Sequence, residues 1–211
     1  MTKTTRGAAL EVIDKGATSV EHPVPLLFVH GGCHSAWCWD EGFLDHFADR
    51  GFQAAALSLR GHGGSSSDKS LHRCSMADFV DDVDAVALTL EAPPVLIGHS
   101  MGGFIVQHYL ANHRNPAGVL LASLPPRGAA WISRRFMRKH PVVALRSNIK
   151  RSPHIVFQPP LTRAGLFSPA TPQAVVDTCA ARIEPESMRA LWFDAMFRLP
   201  KPNCFPAWGT T

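Results

Sequence analysis

The chain has 211 residues, 45% of them hydrophobic and 18% charged, with a net charge of +4. That balance suits a globular protein able to bury a full core and excludes a disordered or collagen-like chain. No apolar run approaches the roughly 18–20 residues of a membrane span, and Met1–Leu10 has no apolar signal-peptide core.

In chain order, Ala8–Ile13 alternates weakly and reads as a strand ended by Asp14-Lys15-Gly16. Pro25–Val29 is a short apolar run between Pro23 and Gly31-Gly32 and reads as a buried strand. Trp37–Arg50 carries a helical stripe of Trp39, Phe43, Leu44 and Phe47, stopped by Gly51. Phe52–Leu57 reads as the next strand and Arg60–Ser67 as a Gly/Ser loop. Ser75 caps a helix, with Asp78 three residues on and Phe79, Val83, Val86 and Leu90 along one face to Glu91. Pro94–Ile97 and Gly118–Leu121 are apolar runs around a helix at Met101–His113. Strands alternating with helices predict a mostly parallel sheet covered on both faces.

Charge and proline are unevenly placed. From Ala92 to Val176 there is no Asp or Glu, while ten Lys and Arg fall in that stretch. Thirteen of the seventeen prolines lie between Pro116 and Pro206. The first 124 residues read as regular structure and the rest as short helical pieces. Residues 125–202 are expected to form a helical cap with apolar faces that shape a pocket and exclude water. Asp177 and Asp194 fall in helical patterns, Val175–Arg182 and Ser187–Phe197. The basic cluster Arg134–Lys139 reads first as a solvated helix face and second as a surface for anions such as lipid headgroups. No nucleic-acid recognition motif is present. The five cysteines are odd in number and form no CxxC pair. They point to no metal site or disulfide framework and to a reducing cytoplasm.

The chemistry concentrates around Ser100. Gly98-His99-Ser100-Met101-Gly102 is a G-x-S-x-G sequence after a strand-like Val95-Leu96-Ile97 and before an apolar helix. A sharp strand-to-helix turn of this kind holds a serine in a strained conformation, with small residues on both sides letting backbones approach. Phe28-Val29-His30-Gly31-Gly32-Cys33 closes an early strand. Acyl transfer needs two donors already aimed at the developing oxyanion. The backbone N–H groups of Met101 and Gly32 are the candidates. His30, Cys33, His34 and His99 are weaker candidates for a substrate pocket. His99 and His30 read as structural neighbours of the turn, and His62 as a loop-fixing residue. Nothing near Cys33 marks a lowered thiol pKa.

The sequences His30-Gly31-Gly32, Arg60-Gly61-His62-Gly63-Gly64-Ser65 and Gly98-His99-Ser100-Met101-Gly102-Gly103 resemble the α/β-hydrolase superfamily. The segment His30–Trp39 is similar to the plant hydroxynitrile lyase and methylesterase branch. Leu59–Ser65 instead resembles the wider esterase and monoacylglycerol-lipase-like groups. The resemblance covers residues 8–124 well and the remainder loosely. It implies an α/β-hydrolase fold with a helical cap, a nucleophilic Ser100, an acyl-enzyme intermediate, a small ester or acyl substrate and no cofactor.

A serine nucleophile needs a base held by a carboxylate, and in this superfamily the order is Ser, acid, His. Here the acids after Ser100 are Asp177, Glu184, Glu186 and Asp194, and no histidine follows any of them. The expectation is a hydrolase core over 1–124, a cap over 125–202, and a truncated core strand begun at 203–211, with the last strand and the histidine loop missing. The leading reading is therefore a serine hydrolase acting on a carboxylic ester. The alternatives are a catalytically impaired ligand-binding or receptor-like protein on the same fold, and a lyase using the same serine.

Overall fold

A computed structural model describes residues 2–3, 8–150 and 161–200. His154, Cys204 and the strand expected from 203 onward lie outside the described residues. β1 (Thr2–Lys3) and β2 (Ala9–Leu10) form a small antiparallel pair. The main sheet contains β3 (Val12–Lys15), β4 (Leu26–Val29), β5 (Ala54–Leu57), β6 (Val95–His99) and β7 (Gly118–Leu121), in the order β3-β5-β4-β6-β7. Only β3 runs antiparallel to its neighbour; the β5-β4-β6-β7 pairings are all parallel.

β4 and β5 are buried along their whole length, as their unbroken Leu-Leu-Phe-Val and Ala-Ala-Ala-Leu sequences require of strands covered on both faces. Alternation then assigns each side chain to a layer. Leu27, Val29, Leu57 and Leu96 pack with Phe79 and Val83 of α3 (Met76–Ala87) and Phe104 and Ile105 of α4 (Met101–Leu110). Leu26, Phe28, Ala56 and Ile97 point the other way, onto Trp39 of α1 (Trp37–Asp40) and Leu44 of α2 (Phe43–Ala48). β7 closes one side of the sheet, and Val119 and Leu120 there are exposed.

Two details differ from the sequence expectation, and a third agrees with it. The first strand breaks at Glu11 and continues to Lys15, because Val12–Lys15 pairs with β5 in register from Leu57 to Ala54. The turn-like Asp14-Lys15 is overridden by that pairing, and the Lys15 Nζ sits against Asp40 and Asp45. The single helix expected over Trp37–Arg50 is split in two. Gly42 has φ 112°, a backbone no helix interior contains, so its apolar stripe is carried by two short helices. The α3 start agrees with expectation: Ser75 Oγ accepts the Asp78 N–H at 3.2 Å, and Asp78 Oδ2 accepts the Ser75 N–H at 2.7 Å.

Beyond β7 the described chain is helical: α5 (Ala130–Lys139), α6 (Pro141–Lys150), α7 (Leu161–Leu166), α8 (Gln173–Ala181), a π-helical turn at Arg189–Asp194 and α9 (Ala195–Phe197). Asp194 is fully buried. It accepts the Met76 N–H at 2.8 Å and pairs with Arg198 at 3.2 Å, so the π-helical turn is pinned to the start of α3. Asp177 stays on an exposed face and accepts from Gln173. Among the described residues, no helix is long and apolar enough to cross a membrane.

Candidate active site

Ser100 stands between the last residue of β6 and the first of α4, with φ 51° and ψ −115°. Such a backbone costs on the order of 1–3 kcal/mol in a non-glycine residue and persists only where its surroundings enforce it. The enforcement is visible. The Ser100 N–H donates to Leu121 O at 3.0 Å, and Ser100 O accepts from Phe104 at 3.3 Å and Leu124 at 3.2 Å. The elbow is thus tied to the end of β7 and to the first turn of α4. Gly102 makes this approach possible: a methyl group there would overlap the carbonyl oxygens of Val29 and His30.

The loop after β4 packs directly on the elbow. A methyl on Gly31 would lie 2.9 Å from His99 Nδ1 and 3.2 Å from Ser100 Cβ, and one on Gly32 would lie 3.9 Å from Met101 Sδ. Met101 is the first residue of α4, so its N–H has no acceptor within the helix. Ser100, Met101 and the Gly31-Gly32 loop are therefore brought together, as their motifs predict.

The other candidates separate by burial. His30 is fully buried. Its Nε2 accepts the Leu59 N–H at 3.0 Å and its Nδ1 faces Gly31 O at 2.8 Å, so the proton sits on Nδ1. Burial, helped by His62, pushes its pKa well below the usual histidine range. Its role is to fasten β4 to the Leu59 loop. Cys33 is also fully buried, with φ 64°. Burial first, then the charges of Glu186 and Glu184, push its thiol well above the usual range, which removes it as a nucleophile. His34 and His99 are only partly buried. The His34 ring stacks on Trp37 at 5.5 Å, with Nδ1 on Gly32 O at 2.8 Å and Nε2 3.8 Å from Cys179 Sγ on α8. Burial and the nearby His34 lower the His99 pKa. Among the described residues, no histidine hydrogen-bonds the Ser100 hydroxyl, and no cluster of His, Cys, Asp and Glu is placed to hold a metal.

The structure adds two carboxylates that sequence reasoning weighed only as triad acids. Glu186, in the segment after α8, is fully buried beneath the glycine loop. Its Oε2 accepts the Cys33 N–H at 3.0 Å, its Oε1 accepts the Ser187 N–H at 2.6 Å, and Oε2 lies 3.2 Å from His62 Nε2. Burial alone would raise Glu186 and lower His62. Their mutual attraction, with the Ser187 and Cys33 N–H bonds on Glu186 and with Glu184 and the Arg60 carbonyl near His62, outweighs burial, so Glu186 is held below the usual carboxylate range and His62 above the usual histidine range. Glu184 works alongside it. Its N–H donates to Cys33 O at 2.9 Å, and its carboxylate accepts from Ser35 Oγ at 2.7 Å and Gly63 N at 2.8 Å. Cys33 is thus gripped at both its N–H and its carbonyl. His62 is a loop-fixing residue as expected, but its partner comes from the segment after α8. The one sequence signal was two acids flanking Pro185 beyond a long acid-free stretch.

A mostly parallel sheet with a strained serine elbow at the end of a central strand, facing a glycine loop, defines an α/β hydrolase. The Alpha/beta hydrolase family matches the chain over residues 26–210. The chain belongs to that family. A non-heme chloroperoxidase from Burkholderia pyrrocinia is 37% identical over 108 residues, 48% of this chain and 38% of that protein. Protein phosphatase methylesterase 1 of Mus musculus is 39% identical over 100 residues, 46% of this chain and 26% of that protein. The matches thus span well under half the length of these curated relatives. An esterase from Exiguobacterium antarcticum superimposes with a TM-score of 0.66 at 16% identity, over 87% of this chain and 68% of that one, which establishes a shared fold.

Proposed function

We propose that the protein is a serine hydrolase acting on a carboxylic ester of a small molecule. Ser100 Oγ attacks the ester carbonyl carbon, and the carbonyl π electrons move to oxygen. The resulting oxyanion is met by the N–H groups of Gly32 and Met101. Collapse of the tetrahedral species breaks the bond to the alkoxy oxygen, which departs as the alcohol carrying the proton given up by the Ser100 hydroxyl, and leaves an acyl group on Ser100. Water then cleaves that acyl-enzyme to the acid. Preorganised donors of this kind lower the barrier by about 3 kcal/mol each. Part of that contribution survives without a complete triad. Ser100 and the two donors are the machinery assigned here; no residue is assigned as general base.

The observation that carries the reading is the Ser100 backbone, φ 51° and ψ −115°, held against Gly31 at the start of α4. Relatives named as esterase and methylesterase point the same way. A fluorophosphonate probe followed by peptide mass spectrometry tests it. The expected result is one adduct, on Ser100, absent from Ser100→Ala. A wild-type protein that stays unmodified at Ser100, while a known serine esterase reacts in the same tube, refutes the assignment.

A further inference from the structure

We infer that the α5–α6 hairpin docks on an anionic lipid bilayer. On α5, Trp131, Arg134, Arg135 and Arg138 are all exposed and stand at i, i+3, i+4 and i+7, which places them in one stripe. Trp131 is 67% exposed. The Arg135 guanidinium carbon lies 5.6 Å from its ring centroid, and Lys139 extends the stripe. Together these five residues line an open depression of about 650 Å³. The opposite face of α5 carries the buried Ser133 and the half-buried Phe136, which seat the helix on the protein.

The following helix adds hydrocarbon. Val142, Leu145 and Ile149 of α6, at i, i+3 and i+7, are 59%, 61% and 73% exposed. An ordinary solvated helix face mixes charges of both signs and leaves such an aliphatic row covered. Neither condition holds. No Asp or Glu occurs anywhere from Ala92 to Val176. Among the described residues, none of the α5 cations pairs with a carboxylate.

One partner meets all three features. Anionic headgroups neutralise the guanidinium stripe, the interfacial zone takes an indole beside cations, and the acyl boundary takes the aliphatic row. A nucleic acid satisfies the cations and offers nothing to Val142, Leu145 and Ile149. The inference does not rest on Ser100 chemistry, and its test keeps the two apart.

Co-sedimentation with vesicles of phosphatidylcholine containing phosphatidylglycerol, beside vesicles of phosphatidylcholine alone, gives the readout. The expected result is binding to the first, little to the second, and release by salt. Bilayer attraction falls by roughly fivefold for each surface cation removed, so Arg134→Gln, Arg135→Gln and Arg138→Gln together lower partitioning on the order of 100-fold. Brominated acyl chains quench part of the tryptophan emission in wild type, and Trp131→Phe abolishes that part. Ser100→Ala binds as wild type does. Equal binding to both vesicle types, no binding to the anionic vesicles, or capture by heparin or an acidic protein but not by vesicles overturns the inference. So does a correctly folded triple variant that binds like wild type. The salt dependence and the Trp131→Phe quenching decide the matter if the triple variant fails to fold.

Discussion

Glu186→Gln is the sharpest probe of how the segment after α8 supports the elbow region. The carboxylate meets two backbone N–H groups, of Cys33 at 3.0 Å and Ser187 at 2.6 Å, and His62 Nε2 at 3.2 Å, all without solvent. Gln keeps the shape and one acceptor oxygen. It removes the charge and turns an NH2 toward a donor. Deleting one partner of a buried ion pair costs about 3–5 kcal/mol. Because His62 can shed its proton once Glu186 is gone, the lower end, about 3 kcal/mol, is expected. For a chain of this size that lowers the melting midpoint by roughly 6–12 °C. The pH dependence follows from the two shifts. Glu186 is held below its ordinary 4.5, so its contribution is present above that pH and is lost as pH falls through the lowered value. His62 is held above its ordinary 6.5, so its contribution is complete below that pH and is lost as pH rises through the raised value. The gap between wild type and Glu186→Gln is therefore widest between about 4.5 and 6.5 and narrows above neutrality. Thermal and urea unfolding at several pH values measure it. A gap under about 1 kcal/mol near pH 6, or one that stays flat into the alkaline range, refutes the charged-pair account.

Ser100→Gly releases the strained elbow and is expected to raise stability by roughly 1 kcal/mol after the entropy of the freer unfolded chain is subtracted, while abolishing probe labelling. A lower urea midpoint argues against strain at that residue. Gly102→Ala drives a methyl into two carbonyl oxygens and is expected to cost about 3 kcal/mol or more, or to yield insoluble protein. Gly32→Ala meets nothing closer than 3.5 Å and is expected to cost less than about 1 kcal/mol, so it separates labelling rate from folding. Arg60 donates from Nε at 2.8 Å and from Nη2 at 2.6 Å to the same buried Asp82 oxygen. Arg60→Leu alone is expected to cost about 3–5 kcal/mol, and the double change Arg60→Leu with Asp82→Leu to recover most of it, as a double-mutant cycle in urea will show. Ser75→Ala removes the α3 cap and is expected to cost about 1 kcal/mol by the same assay.

What was legible in the sequence was local or continuous. The elbow reads directly because strand, Gly-x-Ser-x-Gly and helix follow one another within a few residues. The buried strands read directly because both of their faces are apolar. Gly42 was masked by the opposite circumstance. The residues around it keep helical spacing, so periodicity survives a break that only a φ of 112° creates. The Glu186–His62 pair was hidden by distance along the chain, since each residue looks ordinary in its own neighbourhood and becomes a charged core element only where the segment after α8 meets the glycine loop. Asp194, whose helical surroundings suggest a solvated or salt-bridged side chain, does pair with Arg198, but its burial and its bond to the Met76 N–H across the interface were hidden in the same way.

The segment 184–187 also constrains how this molecule can move. Hydrogen bonds through Glu184 and Glu186 join it to Cys33, Ser35 and Gly63. Nearby, Arg182 rests 4.0 Å over the Trp37 ring and pairs with Glu41 at 2.6 Å. A displacement of this segment is therefore transmitted to the glycine loop that packs against Ser100. Loop and segment thus form one mechanical unit, so a change at either is felt at the elbow.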